Sequence, residues 1–338
     1  MSDRVAGRPM PDVSVVIVTW NAAHVLGPCL DALARHATDV VRQVIIVDNA
    51  STDGTVPLLL DRGFRERAED PEGDHPYLLV RNRENVGFAR ANNQGLALAR
   101  APYVLFLNPD TEVQPHSVQR LAHFLHGHPD VAVVGPKLTN AAGVVQGGAA
   151  GHMPGLRTLL NYSLGLYALS PSRFPAIWLA RRQYAGTAPI EVGWVSGAAL
   201  MTRTALARKV GGWPEDYFLY IEDIAFCERL HAHGRIVCLP AAHVVHHIGG
   251  SIHQTGTEGL ERNVQGLDRY YRRHYGRAKV ALMHLVGGLG FALRWAGAIL
   301  LGQRTPRGHS APAVLLWRTL AQASVRYAWQ TMRGRQIT

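Results

Sequence analysis

The chain has 338 residues, of which 47% are hydrophobic and 18% are charged, a balance typical of a folded globular protein. This length suits one large domain, or one domain with an appendage, and the apolar fraction excludes extended disorder. The formal charge of +10 at pH 7 favours an anionic partner, such as a phosphorylated substrate, an anionic membrane face or a nucleic acid.

Neither the amino terminus nor the cysteines indicate export. The amino-terminal sequence MSDRVAGRPMPD contains no apolar core that would predict a signal peptide. Cys29, Cys227 and Cys238 lack metal-binding spacing, and we expect reduced thiols in a cytosolic protein. No stretch of about 18 residues is both apolar and uncharged, so no transmembrane helix is predicted.

The first part of the chain alternates between apolar strands and amphipathic helices. Residues 13–19, VSVVIVT, are apolar throughout and mostly β-branched, which predicts a strand buried on both faces of a sheet. Further strands are predicted at 43–47, 77–80 and 103–107, and helices at 24–36, 55–62 and 88–99. The order β-α-β-α-β-α-β predicts an α/β fold with a mostly parallel central sheet, in which ligands bind at the carboxyl ends of the strands.

The rest of the chain is less regular. Helices are predicted at 117–126, 205–210, 220–233 and 260–275, strands at 131–134 and 236–239, and an ordered segment at 192–202. Residues 140–190 are rich in Gly, Pro and Arg, lack periodicity, and are expected to line an acceptor site. Residues 279–301 predict an apolar helix that carries His284 and Arg294. With Arg277, Arg304 and Arg307, this helix suits an anionic membrane face, and the alternative is a helical appendage packed on the core.

Polar segments follow several predicted strands, and each has two interpretations. VDNASTDGT (47–55) suits recognition of a ribose or base, or a turn that caps the next helix. In ENVGFARANNQG (84–95), Gly87 and Arg90 suit an anion site at a helix start, although Arg90 could be an ordinary surface residue. LFLNPD (105–110) ends a buried strand in a carboxylate, which is either a polar turn or a group aimed at a charged ligand.

Three later segments also carry reactive or aromatic side chains. In GWVSGAAL (193–200), Trp194 suits stacking on a sugar ring or packing in the core. In YFLYIEDIAFCERL (217–230), Glu222 and Asp223 begin a helix, where they complement the helix dipole or supply a general base. HVVHHIGGS (243–251) offers histidines that could join Asp110 around a metal, although this spacing alone is weak evidence.

Together these segments resemble a known family. VSVVIVTWN, VDNASTDGT, ENVGFARANN, LFLNPDTEV, WVSGAALMTR, GGWPEDYFLYIEDIAFCERL and VVHHIGGS follow one another at the spacing of family 2 glycosyltransferases with the GT-A fold. More narrowly, the chain resembles the rhamnosyltransferase-like branch, over about residues 13–252. The resemblance implies a transferase domain at 11–254, with a nucleotide-sugar half at 11–115 and an acceptor half at 116–254. Residues 255–338 lie outside the resemblance, and their positive charge and apolarity predict a helical region that associates with a membrane.

The resemblance also implies roles for single residues. The D-x-D motif reads Asn108-Pro109-Asp110, so an amide stands in place of the first acid. Asp110 would be the main ligand of Mg²⁺ or Mn²⁺, with Asn108 acting through its carbonyl or a water, and His246 a further ligand. Asp223 would be the general base, with Glu222 beside it as a substitute. The other residues implied in donor binding are Thr19, Asn21, Asp48, Asn49, Ser51, Gly87 and Arg90, and those implied in acceptor binding are Trp194, Ser196 and Gly197.

The implied function is an inverting sugar transfer in cell-wall or surface polysaccharide synthesis, at the cytoplasmic face of the cell membrane. The preferred donor is dTDP-L-rhamnose, and the acceptor is a saccharide carried on a polyprenyl diphosphate. UDP-GlcNAc, UDP-Gal and UDP-GlcA are alternative donors. A non-catalytic nucleotide-sugar or carbohydrate-binding module is the alternative class, although such a module needs no base. Nucleic-acid binding is not expected, because the core lacks a basic motif with interleaved aromatics. The sequence indicates no oligomeric state.

Overall fold

A ten-stranded mixed sheet lies at the centre of this computed structural model, which describes residues 11–70, 72, 74–217, 220–247, 256–300 and 313–333. The strands are β1 Val13–Thr19, β2 Val41–Asp48, β3 Arg65–Glu66, β4 Tyr77–Arg81, β5 Tyr103–Leu107, β6 Thr111–Val113, β7 Val131–Thr139, β8 Ala150–Gly151, β9 Ile190–Val192, β10 Trp194–Val195, β11 Ala199–Arg203 and β12 Arg235–His246. The helices are α1 Ala23–His36, α2 Thr55–Asp61, α3 Phe88–Leu98, α4 Ser117–Gly127, α5 Leu156–Ser163, α6 Thr204–Lys209, α7 Glu222–His231, α8 Gly256–His274, α9 Arg277–Leu300 and α10 Ala313–Met332.

The half of the sheet built from the first part of the chain is parallel, as predicted. β1 pairs in parallel with β2 and β5, and β2 pairs in parallel with β4. All residues of β1 are buried, because helices cover both faces of the sheet and leave no polar side for alternation. The carboxyl ends of these strands therefore meet at one edge, which is where the polar segments of the sequence emerge.

The other half of the sheet is mixed. β11 runs antiparallel between β5 and β7, and β12 pairs in parallel with β7 but antiparallel with β6 and β9. The predicted strand at 236–239 is only the first part of β12, which continues to His246 with alternating burial. The short strand β6 was not predicted. Its pairing places Thr111 opposite His246, so that the end of β12 lies beside the residues that follow β5.

Two predictions need correction, one of an irregular segment and one of a helix start. Residues 140–190 contain β8, which pairs with β10, and α5, together with two short 3-10 helices at Leu166–Ala168 and Arg181–Tyr184. The helix predicted at 220–233 begins only at Glu222, because Tyr220 and Ile221 have φ values of 69° and 71°. Residues with left-handed backbone conformations cannot join an α-helix, so the helix begins with the two acids.

The apolar helix predicted at 279–301 is confirmed as α9, and it has two unlike faces. On its inner face, the Arg294 guanidinium donates to the Tyr162 carbonyl at 2.9 Å and lies 3.8 Å from the Trp317 ring centroid. By length and composition α9 could cross a membrane, which the sequence analysis did not predict. α10 was also not predicted. Arg304, Arg307 and the predicted boundary between 254 and 255 lie outside the described residues.

Substitution of Gly95 by alanine is expected to destabilise the sheet-facing side of α3. A Cβ at this position would lie 2.4 Å from Val16 Cγ1 on β1, and such overpacking costs about 1–3 kcal/mol. Urea unfolding should therefore show a lower free energy of unfolding for Gly95→Ala. Gly127→Ala is the control, since a Cβ there has no neighbour within 4 Å among the described residues. Equal stability of the two variants would contradict the packing of α3 on β1.

Candidate active site

The loops that follow β1 and β2 are joined through the buried carboxylate of Asp48. This carboxylate accepts hydrogen bonds from Thr19 Oγ1 at 3.1 Å, from the Ser51 backbone N–H at 3.0 Å and from the Ser51 hydroxyl. The Asn21 backbone N–H in turn donates to Ser51 Oγ at 2.8 Å. Asp48 thus shapes the turn as well as lying at the strand end, and its predicted contact with a nucleotide base stays a prediction.

Asn49 connects this turn to the loop before α3. Its side-chain amide donates to the Gly87 carbonyl at 3.3 Å, and its Oδ1 accepts from Asn82 Nδ2 at 2.8 Å. Gly87 has a φ of 88° and a ψ of 164°, a conformation that glycine adopts far more readily than other residues. Arg90 lies exposed on the first turn of α3 and makes no ion pair or hydrogen bond with a described residue. Its guanidinium is therefore available to an anionic ligand.

The second group of polar side chains lies where β6 meets the end of β12. Asp110 and His246 are 6% and 9% exposed, and Asp110 Oδ1 lies 3.2 Å from His246 Nε2. The other ring nitrogen, Nδ1, lies 3.0 Å from Gln146 Oε1, and Gln146 Nε2 donates to the His246 carbonyl at 2.6 Å. Gln146 was missed by the sequence analysis because it lies in the segment without periodicity.

This network assigns the histidine tautomer and brings two possible metal-ligating groups together. Since the Gln146 amide nitrogen is used as a donor, its oxygen faces Nδ1, which therefore carries the ring proton. In the neutral ring the Nε2 lone pair faces the Asp110 carboxylate, an arrangement that suits two ligands of one cation, whereas a protonated ring would form an ion pair with Asp110 at this distance. Asn108 Oδ1 is also buried, with no hydrogen-bond partner among the described residues. A carboxylate, an amide oxygen and an imidazole suit Mg²⁺ or Mn²⁺, with the remaining positions left to a ligand.

The third group lies at the start of α7. Asp223 Oδ2 accepts the Gly197 backbone N–H at 3.1 Å, and Oδ1 accepts the Ile224 N–H at 2.8 Å. Burial raises the pKa of Asp223, although these backbone donors oppose the rise by stabilising the ionised form. Burial, together with the charge of Asp223, raises the pKa of Glu222 well above its ordinary value. Glu222 Oε2 has no partner among the described residues, so Glu222 is the neutral member of the pair and Asp223 the ionised one.

The predicted acceptor residues differ in their placement. The structure places Trp194 in the core at 3% exposure, with its indole N–H on the Ile177 carbonyl at 3.1 Å. A ring buried in this way offers no face to a sugar, which corrects the stacking interpretation. Ser196 Oγ accepts the Ala198 N–H, while the Gly197 N–H donates to Asp223. Trp20, which directly follows β1, is by contrast 43% exposed.

The backbone that precedes Asp223 is strained, and α8 packs against it. Ile221 is buried with a φ of 71°, and β-branched residues rarely adopt this conformation. A Cβ on Gly266 in α8 would lie 2.7 Å from Ile221 Cγ1, so only glycine lets the helix approach this closely. On the same helix, Arg273 forms an ion pair with Asp216 at 2.6 Å, and Arg269 donates to the Asp216 carbonyl. α8 therefore packs against the segment that leads into Glu222 and Asp223.

Comparison with known proteins places the chain among glycosyl transferases. The sequence profile of "Glycosyl transferase family 2" matches residues 14–183, and that of "Glycosyl transferase family group 2" matches residues 103–332. The chain is 30% identical over 263 residues to the N-acetylglucosaminyl-diphospho-decaprenol L-rhamnosyltransferase of Mycobacterium tuberculosis (strain ATCC 25618 / H37Rv). That match covers 74% of this chain and 80% of the mycobacterial protein.

Solved structures share the fold at low sequence identity. A mannosyltransferase from Pyrobaculum calidifontis, in complex with GDP-Man and Mn²⁺, superposes with a TM-score of 0.56 at 19% identity, covering 96% of this chain and 88% of that one. GalNAc-T7 with UDP, GalNAc and Mn²⁺ gives a TM-score of 0.55 at 15% identity, covering 78% of this chain and 48% of that one. These neighbours confirm the predicted GT-A fold.

The variant Glu222→Gln is expected to flatten the dependence of stability on pH. Because the pKa of Glu222 is raised in the folded protein, the native state keeps a proton that the unfolded chain releases above the ordinary glutamate pKa. The stability that this group contributes is fully present below the unfolded pKa and is lost as the pH rises through the folded pKa. The free energy of unfolding in urea, measured at acidic and alkaline pH, should decline less in Glu222→Gln than in the wild type.

Glu69→Gln provides the matched control, since Glu69 is exposed. This variant should keep the wild-type pH dependence. An equally steep decline in Glu222→Gln would contradict a buried, neutral Glu222.

Proposed function

The chain belongs to glycosyl transferase family 2, and from this membership and its site we propose an inverting transferase that moves a sugar from a nucleotide-diphosphate donor to a lipid-linked saccharide. One observation carries the proposal, namely that adjacent residues connect the cation site to the base. The Ala198 carbonyl accepts the Asn108 N–H at 3.0 Å, and the Gly197 N–H donates to Asp223 at 3.1 Å. A site for the donor diphosphate and a base for the acceptor hydroxyl are thus built on one short segment.

The donor end of the site is assigned from its charges and hydrogen-bonding groups. Asp110 and His246, with Asn108, would hold a divalent cation, which when bound neutralises charge on the departing diphosphate. The unpaired guanidinium of Arg90 is assigned to the nucleotide or its phosphates. The nucleoside is assigned to the loops after β1 and β2, formed by Thr19, Asn21, Asp48, Asn49 and Ser51, and by Gly87 beside them.

Asp223 is assigned as the general base of a single displacement. A sugar hydroxyl is a weak nucleophile, and Asp223 takes its proton as the oxygen attacks C1 of the donor sugar. The new C1–O bond forms on the face opposite the breaking C1–O bond to the diphosphate, so the configuration at C1 inverts. The nucleoside diphosphate leaves with the electron pair of the broken bond. Glu222 stays neutral beside Asp223 and adds no second charge to the site.

The donor and acceptor follow from the relative that is 30% identical. Because that protein is an L-rhamnosyltransferase acting on a decaprenyl-diphosphate-linked sugar, we assign dTDP-L-rhamnose and a polyprenyl-diphosphate-linked saccharide to this chain. The place of action is then the cytoplasmic face of the cell membrane, in the synthesis of cell-wall or surface polysaccharide. UDP-GlcNAc, UDP-Gal and UDP-GlcA are the donors that the test must separate from dTDP-L-rhamnose.

A panel of nucleotide sugars tests the proposal directly. The purified protein is incubated with dTDP-rhamnose, UDP-GlcNAc, UDP-galactose, UDP-glucuronate or GDP-mannose and a short-chain prenyl-diphosphate GlcNAc acceptor, with Mn²⁺, with Mg²⁺ or with EDTA. We expect transfer from dTDP-rhamnose, dependent on the metal and with inverted anomeric configuration by NMR. Asp110→Ala and Asp223→Asn should each lower kcat by about 10²–10⁴-fold, because each removes one chemical role.

Asp130→Asn is the control, since this exposed acid pairs with Arg235 away from the site and should leave kcat unchanged. Donor binding without turnover of any donor would favour a binding module over a transferase. Full activity of Asp223→Asn would instead assign the base to another residue.

Substitution of Gly266 by alanine is expected to lower kcat by about tenfold to a hundredfold with little change in the donor KM. The added Cβ displaces Ile221 and with it the base, whereas the nucleotide loops are untouched, and small displacements of catalytic groups cost rates of this size. Adding Ile221→Ala to Gly266→Ala should restore part of kcat, since it removes the atom that clashes. Gly276→Ala is the control, because its Cβ would meet no described atom within 4 Å. A rise in KM without a fall in kcat would contradict this positioning role.

A further inference from the structure

The net positive charge of the chain comes from its carboxy-terminal part. Residues 269–338 contain 12 Arg and Lys and no Asp or Glu, whereas residues 1–268 contain 23 Arg and Lys and 25 Asp and Glu. The formal charge of +10 is therefore the sum of +12 in the helical carboxy-terminal part and −2 in the rest. Because the excess of cations is concentrated in one part of the molecule, the positive electrostatic field is strongest there. We therefore expect an anionic surface to bind this part of the molecule.

The same part of the molecule exposes a row of leucines. On α9, Leu282, Leu285, Leu289 and Leu293 are 47%, 45%, 63% and 56% exposed, and at their helical spacing they share one face. Ile299 and Leu300 continue the apolar exposure to the end of the helix, over about 27 Å from Leu282. Exposed apolar surface of this extent marks a site of interaction with a protein or a membrane.

The leucine row continues across a groove onto α10. The groove between the helices has a volume of about 560 Å³, and Gly288 and Ala292 on its α9 side lie one turn from Leu285 and Leu289. On its α10 side the groove is lined by Val325 and Trp329, and with Met332 these residues are exposed at helical spacing, each to more than half. The surface formed by the leucine row, the groove and these α10 residues is called the apolar face below.

Cationic side chains surround the apolar face. Arg277 and Lys279 are exposed near the start of α9, and Arg333 is exposed near the end of α10, while the exposed Arg318 lines the groove itself. The Arg333 guanidinium lies 4.1 Å from the Trp329 ring centroid, so an aromatic ring and a cation meet at the border of the face. An apolar strip with cations and a tryptophan at its border has the composition of helices that lie in the headgroup region of anionic membranes.

The inner face of α9 is occupied by protein, which decides how the helix meets a bilayer. Gly290 packs so tightly on Ser163 of α5 that a Cβ would lie 2.5 Å from Ser163 Oγ. Arg294 donates to the Tyr162 carbonyl, and His284 Nε2 bonds the buried Asp268 of α8 at 2.7 Å. A helix held on one side by polar and charged contacts of this kind can present only its outer side to lipid. α9 is therefore suited to lie along a membrane surface and not to cross it.

We propose that the apolar face docks the enzyme on an anionic phospholipid bilayer, with α9 parallel to the surface and its leucine row among the acyl chains near the headgroups. This inference deepens the proposed function, because a lipid-linked acceptor is presented at such a surface, but the docking itself requires no transfer. The cationic border selects anionic lipid, and the leucines supply the binding that remains when salt screens the charges.

Vesicle binding tests the docking without any enzymatic reaction. The full chain is mixed with vesicles of phosphatidylcholine alone, or of equal parts phosphatidylcholine and phosphatidylglycerol, and the bound fraction is measured by flotation. We expect at least about tenfold stronger binding to the anionic vesicles, as several cations near the surface contribute together. Leu285→Gln/Leu289→Gln should weaken binding to the anionic vesicles by more than about tenfold. Arg318→Gln/Arg333→Gln should lower the ratio of anionic to neutral vesicle binding by about tenfold.

Matched controls come from exposed residues of the transferase domain. Leu60 and Leu169 are 44% and 74% exposed, and Leu60→Gln/Leu169→Gln should bind as the wild type does. Arg65→Gln/Lys209→Gln controls for the loss of two exposed charges. If the leucine double variant fails to fold, a polarity-sensitive dye at Leu289→Cys provides a second measurement, because the native cysteines are buried. Its emission should shift to the blue with anionic vesicles only.

Three results would overturn the proposal. Equal binding to both kinds of vesicle would show that the cations do not select anionic lipid. If Leu60→Gln/Leu169→Gln weakened vesicle binding as much as Leu285→Gln/Leu289→Gln does, the apolar face would have no specific role. Self-association through this face, seen as a concentration-dependent dimer without vesicle binding, would assign it to a second copy of the chain. A wild type that binds vesicles but transfers no sugar from any donor of the panel to the short-chain prenyl-diphosphate GlcNAc acceptor would refute the proposed function while leaving the docking intact.

Discussion

The site depends on two backbone hydrogen bonds made by the adjacent residues Gly197 and Ala198. Ala198 holds the loop that bears Asp110, and Gly197 holds Asp223, so the separation of the two carboxylates is set by rigid backbone. This is possible because β11 runs antiparallel to β5, which places Ala199 opposite Leu107 and the start of β11 at the ligand-binding edge. A Cβ at Gly197 would lie 3.1 Å from the Trp213 ring, so the close packing there leaves little room for a side chain.

The carboxylates owe their different chemistry to their neighbours. Asp110 faces the Nε2 atom of His246 at 3.2 Å, and Gln146 sets the tautomer of this ring through Nδ1. Asp223 faces backbone N–H groups, which favour its ionised form without supplying a proton. Glu222 is one residue away but has a buried oxygen without such donors among the described residues. Burial alone would make both acids neutral, and the backbone donors separate their roles.

The carboxy-terminal helices connect the segment that bears Asp223 to the apolar face. Asp268 of α8 is buried, bonds His284 of α9 at 2.7 Å and pairs with Arg272 at 2.6 Å, while Arg272 also bonds Thr331 of α10. A buried charge network of this kind is costly to open, since each member would lose its partner away from water. The three helices therefore form one unit, and α8 packs this unit against Ile221, which directly precedes Glu222 and Asp223. The apolar face and the segment that bears Asp223 are thus joined through continuous packing.

The parallel half of the sheet, the family and the positions of Asp48, Asp110 and Asp223 at element ends could be predicted from the sequence, because burial and helix starts leave local patterns. Only the tertiary structure decided that β11 runs antiparallel, that Trp194 belongs to the core and that Gln146 orients His246. These features join residues far apart in the chain, such as Gln146 and His246, which are separated by 100 positions. The left-handed conformation of Ile221 was not predicted either, since the local pattern indicated a helix from residue 220, and a β-branched residue rarely adopts such a φ. Local periodicity records how much of a side chain is buried, but which distant partner buries it depends on how the strands are ordered in space.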